Sequence, residues 1–149
     1  MAVKEEVDNQ IRQVIEEMLG LDSGVSLQYG KTEKAGARYG RPFRRGERIL
    51  MNEALLDDDI MDILYRAAHE SGHARHHRRV GDDGYNMASR RRKEYIADKE
   101  AMKYFQSKGY KLGPKTRSFA ESSHPESGRF KRQAQKAGLL RILMDLIKK

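Results

Sequence analysis

The sequence predicts an α+β fold, and three observations carry that prediction. Apolar residues recur at helical spacing in four separate stretches, glycines punctuate short segments between residues 26 and 52, and a Pro- and Ser-containing interruption follows residue 110. The first helical stretch covers residues 3 to 19, where Val7, Ile11, Val14, Ile15 and Met18 define one face and Gly20 ends the helix. From Ser26 to Asn52 the glycines at 30, 36, 40 and 46 separate segments such as SLQYG and GERILMN, which suit strands and tight turns. A small, mostly antiparallel sheet is expected here.

Asp57, Asp58 and Asp59 favour a helix start, both as caps and through the helix dipole. Ile60, Ile63, Leu64, Ala67 and Ala68 continue it with helical period. GDDGYNMAS, residues 81 to 89, has turn chemistry and reads as an exposed loop. A further helix follows in RRKEYIADKEAMKYFQSKG, with Tyr95, Ala97, Ala101, Met102 and Phe105 at apolar positions and Gly109 at the C-cap. Residues 110 to 127 read as irregular. From residue 130 to 149, Ala134, Ala137, Leu140, Ile142, Leu143 and Leu146 give a closing amphipathic helix.

These elements fit one domain over residues 1 to 149, with 38% hydrophobic residues for a modest core and 35% charged residues for an ionic surface. No apolar run approaches the roughly 18 residues that a membrane span needs, and the acidic amphipathic start lacks the pattern of a secretory signal. A cytoplasmic location is the expectation. The absence of cysteine excludes disulfides and thiolate metal ligands, so any metal must be held by His and carboxylate. The net charge of +8 is concentrated at Arg75, Arg78 and Arg79 and at Arg90, Arg91 and Arg92. Such clusters fit nucleic acid or an acidic partner, although a solvated face accounts for charge runs more often.

The chemistry is concentrated in AAHESGHARHH, residues 67 to 77, which holds four of the five histidines. His69 and His73 lie one helical turn apart and can converge on one ion, with Glu70 between them in the order His-Glu-x-x-His. That order suits a zinc hydrolase. Two imidazoles bind Zn²⁺, and the adjacent carboxylate accepts a proton from the zinc-bound water and returns it to the leaving amine. Composition alone would produce the pattern about 0.01 times in a chain like this one, so chance is a poor account; a degenerate or purely structural metal site is the stronger rival.

A third ligand must come from elsewhere. Glu94, on the next helix, is the best candidate, and Asp98 one turn later is placed to accept the free N–H of a zinc-bound histidine. In a charged helix both could simply face solvent, but their position after HESGH favours the site. His77 is also one turn from His73, yet three ligands from one straight helix fit poorly, so His76 and His77 read as partly exposed flanking residues. His124, which precedes Pro125 and Arg129, suits a reversible fourth ligand or an oxyanion stabiliser.

Residues 48 to 131 resemble the M48-type gluzincin metallopeptidases in three segments: RILMNEALLDDDIMDILYRAAHESGHARHH, KEYIADKEAMKYFQSKGYK and SHPESGRF. The resemblance implies a zincin-like fold at the scale of the minimal gluzincins, with an active-site helix under a small sheet and a glutamate helix packed against it. It implies Zn²⁺ held by His69, His73 and Glu94, with Asp98 behind them, Glu70 as base, His124 near the metal and Arg129 shaping the cleft. It also implies a peptide or protein substrate bound as an added strand, for which residues 46 to 52 are the expected edge. Residues 1 to 45 lie outside the resemblance, and the transmembrane helices of many members are missing. Three other expectations stand beside it: a protease of the ImmA/IrrE type acting on a repressor protein, a latent peptidase released by movement of residues 110 to 127, and a basic nucleic-acid-binding protein with a structural zinc.

Overall fold

A computed structural model describes residues 5–31, 37–40 and 47–123, with the side chains of 121–123 excepted. Helix α1 (Glu5–Leu19) buries Ile11, Val14, Ile15 and Met18, the face that the spacing predicts. Three strands follow: β1 (Ser26–Gly30), β2 (Ala37–Gly40) and β3 (Arg48–Asn52). A short 3-10 turn (Glu53–Asp57) leads to α2 (Ile60–Met87), which Asp59 caps by accepting a hydrogen bond from the Met61 amide at 2.9 Å. Helices α3 (Arg90–Lys108) and α4 (Pro114–Ser123) complete the described chain. No helix among the described residues is long and apolar enough to cross a membrane.

The sheet is mixed, not mostly antiparallel. Its order is β1-β3-β2, with β1 parallel and β2 antiparallel to β3. Glycines mark where the chain turns but not which strand it then joins, and the strand carrying fully buried Ile49 and Met51 takes the middle. β3 is therefore a central strand and not the expected substrate edge. The edge beside α2 is β2.

Helix α2 is the axis of the molecule, packed on α1, on the sheet and on α3. Its buried Ile63, Leu64, Ala67 and Ala68 join Met102 and Phe105 of α3 and the apolar face of α1 in one core. Two segments expected to be irregular are helical. Residues 81 to 87 continue α2 beyond a break at Gly81, whose φ of 78° and ψ of 173° suit glycine almost alone. Residues 114 to 123 form α4, with Pro114 at the first helical position, where its missing N–H costs nothing. Its cap comes from outside the segment: buried Asp62 of α2 accepts from the amides of Lys115 (3.1 Å) and Thr116 (2.9 Å) and from the Thr116 hydroxyl (2.8 Å). The expected closing helix at residues 130 to 149 lies outside the described residues.

Candidate metal centre

His69 and His73 project from one face of α2, both buried, and Glu94 reaches them from α3. His69 Nε2 lies 2.9 Å from one Glu94 carboxylate oxygen and His73 Nε2 lies 3.2 Å from the other. One ligand atom from each of the three residues falls within 4.8 Å of the others. The opposite nitrogens are engaged from behind: His69 Nδ1 meets Asp98 Oδ1 at 2.8 Å, and His73 Nδ1 meets the Tyr85 hydroxyl at 3.2 Å. Asp98 is itself held by the Tyr65 hydroxyl, which donates to it at 3.0 Å. This donor set fits a divalent cation of the zinc type, because both Nε2 atoms and a carboxylate converge while both Nδ1 atoms are anchored.

Local sequence explains the close approach of α2 and α3. The two residues between Glu70 and His73 are small, and α3 lies directly against them. A Cβ at Gly72 would stand 2.9 Å from the Ala97 carbonyl oxygen and 3.0 Å from Ala97 Cα. Ser71 is fully buried and turns its hydroxyl back to the Ala67 carbonyl at 2.8 Å. Glu94 and Asp98 therefore face the histidines across a tight helix pair.

The charges reinforce one another. Burial opposes a charged His69, but the hydrogen bonds to Asp98 and Glu94 outweigh it and raise the imidazole to about 10. The bonds from His69 and then His73 hold Glu94 well below the usual carboxylate range, against its partial burial. Burial, with the charges of Glu70 and Glu94, pushes the Tyr85 phenol up to about 12, so it stays protonated at neutral pH. Glu70 is buried, and its charge acts on both His69 and Tyr85.

His76 and His77 are buried rather than partly exposed. The nitrogens of His77 face the Tyr39 hydroxyl (3.1 Å) and the Asp82 carboxylate (2.6 Å), and its ring stacks on Tyr85 at 4.4 Å. Those partners engage both of its nitrogens, apart from the group formed by His69, His73 and Glu94. His76 Nδ1 has no hydrogen-bond partner among the described residues, and burial with the nearby charges of Arg79 and Arg92 pushes this imidazole down. The arginines of the first cluster are exposed but partly engaged by the fold: Arg78 forks onto Glu47 and donates to the Leu19 and Ser23 carbonyls, while Arg75 pairs with Glu100.

Tyr85 and Tyr39 are the site residues that the sequence reading misses. Both are aromatic and sit in segments read as loop or strand, and only the break at Gly81 folds Tyr85 back onto His73. Tyr39, on β2, stacks over His73 with ring centroids 6.4 Å apart. His124 and Arg129 lie outside the described residues. No protein-family model, no curated protein and no solved structure matches the chain.

Proposed function

We propose that this protein is a zinc-dependent metallopeptidase that uses Glu70 to move protons during hydrolysis of a peptide bond. The observation that carries the reading is the convergence of His69 Nε2, His73 Nε2 and the Glu94 carboxylate, with both Nδ1 atoms anchored from behind. The resemblance of HESGH and of Glu94 and Asp98 to the gluzincins supports it. His69, His73 and Glu94 would hold the ion, which supplies Lewis-acid activation of water and of the substrate carbonyl.

The remaining steps belong to the chain's own groups. Asp98 and Tyr85 keep the two imidazoles in the tautomer that offers Nε2 to the ion. Glu70 accepts a proton from the attacking water and delivers it to the leaving amine. Strand β2, the edge beside His73, offers backbone groups to an extended substrate. For His124 and Arg129, outside the described residues, only the roles implied by the resemblance stand. A protease of the ImmA/IrrE type would run the same chemistry on a repressor protein. The nucleic-acid reading has less support, since Arg75 and Arg78, although exposed, are already paired with Glu100 and Glu47.

Metal analysis and turnover test the proposal together. The purified protein is expected to hold about one zinc per chain, lost in His69→Ala and in Glu94→Ala. Glu70→Gln is expected to keep the metal and lose turnover by about 10²- to 10⁴-fold. A parent protein that takes up no zinc, or a Glu70→Gln variant with full activity, would overturn it.

A further inference from the structure

A cavity of about 160 Å³ opens beside the metal ligands, with His69 and Glu94 in its wall and α4 closing the far side. That volume is comparable to the roughly 150 Å³ cavity that admits a benzene-sized ligand, so one substrate side chain fits. Four carboxylates line it, and each already has a partner. Asp58 pairs with Lys115 at 2.6 Å, Asp62 caps α4, Asp98 accepts from Tyr65 and meets His69, and Glu94 faces both histidines. Arg66 differs. It stands on the same wall, one turn before His69 and Glu70, with an exposed side chain and no hydrogen-bond or ion-pair partner among the described residues. Phe119, 61% exposed, adds an apolar surface to the α4 wall.

We propose that this cavity is a specificity subsite for a carboxylate-bearing residue of the substrate next to the scissile bond, with Arg66 as its reader. The inference rests on the peptidase reading and names its substrate class. Each of the four acids has a hydrogen-bond or ion-pair partner, neutral donors in the case of Asp62, and Arg66 is the charged side chain of the lining that has neither among the described residues. Guanidinium and carboxylate match in shape as well as charge, through two parallel N–H···O bonds. The carboxylate can come from an Asp or Glu side chain or from a peptide C-terminus.

The test is a peptide panel digested by the zinc-loaded protein, with products read by mass spectrometry. Each acidic peptide is paired with its Asn or Gln counterpart, and each is supplied with a free and an amidated C-terminus. The expected result is a kcat/KM about 10- to 100-fold higher for the acidic member, a preference lost in Arg66→Gln and turned towards Lys-containing peptides in Arg66→Glu. Zinc content should stay at that of the parent in both variants. A preference for the acidic member over its neutral counterpart assigns the side-chain carboxylate, and faster cleavage of the free than of the amidated peptide assigns the terminal one. Equal cleavage across the whole panel, acidic and neutral, free and amidated, would overturn the subsite while leaving the peptidase reading intact. If no peptide is cleaved, the peptidase reading falls, and calorimetric binding of the same peptides to the zinc-loaded protein decides the subsite: tighter binding of acidic peptides that vanishes in Arg66→Gln supports it, and equal binding overturns it.

Discussion

In the proposed site each histidine of HESGH would offer one nitrogen to an ion, and the other, engaged by the protein, would decide how well the first is aimed. His69 Nδ1 is held by a carboxylate at 2.8 Å and His73 Nδ1 by a phenol at 3.2 Å, so the two anchors differ in charge and in length. Removing an anchor of this kind costs about 10- to 100-fold in metal affinity. Asp98→Asn is therefore expected at the upper end of that range and Tyr85→Phe at the lower, measured by competition with a chromogenic chelator. Equal affinity in Asp98→Asn and the parent protein would refute the assignment. Asp98 is legible in the sequence, because it stands one turn after Glu94 and both fall on the face that α3 turns to α2. Tyr85 is not: GDDGYNMAS carries turn residues, and nothing in it announces that residues 82 to 87 resume a helix and return an aromatic ring to the site.

At the level of elements, the site depends on how closely two helices approach. Alanine at position 72 would gain about 1 kcal/mol in helix propensity over glycine. The contacts its Cβ would make are with the backbone of Ala97 at 2.9 and 3.0 Å, which cannot swing aside as a flexible side chain would. Overpacking of this kind costs about 1–3 kcal/mol, so the clash outweighs the propensity and α3 must retreat, taking Glu94 with it. Gly72→Ala is expected to lower both the melting temperature and the zinc affinity. A variant with raised stability and unchanged affinity would show that the helices do not need this contact. The glycine inside a helical pattern is itself a legible signal of close approach. The helices α1, α2 and α3 were legible because each buries a face with its own 3.6-residue period. The sheet order and α4 were not, since β1 pairs with a strand distant in sequence and α4 takes its cap from Asp62, some 50 residues upstream.

Over the whole molecule, the proposed site would set proton and metal in competition for the same group, which ties stability to pH. In the metal-free protein His69 titrates at about 10, above its unfolded value of 6.5. Its contribution to stability is therefore complete below pH 6.5 and is lost as pH rises towards 10. Glu94 works in the opposite direction: held below its ordinary 4.5, it stabilises above that pH and the contribution fades as acid protonates it. The metal-free triad is thus most stabilising between about pH 4.5 and 6.5. A bound ion needs the His69 lone pair, so uptake at pH 7 must release the proton that His69 carries, and affinity must climb with pH until that group is neutral. Since a ligand that binds only the folded chain stabilises it by RT ln(1 + [L]/Kd), the zinc-dependent gain should grow over the range in which the metal-free protein weakens. Unfolding curves recorded with and without zinc from pH 5 to 9 are expected to diverge as pH rises, and calorimetry in buffers of different ionisation enthalpy should find about one proton released per ion at pH 7. Parallel curves with no proton release would mean that His69 is not a ligand.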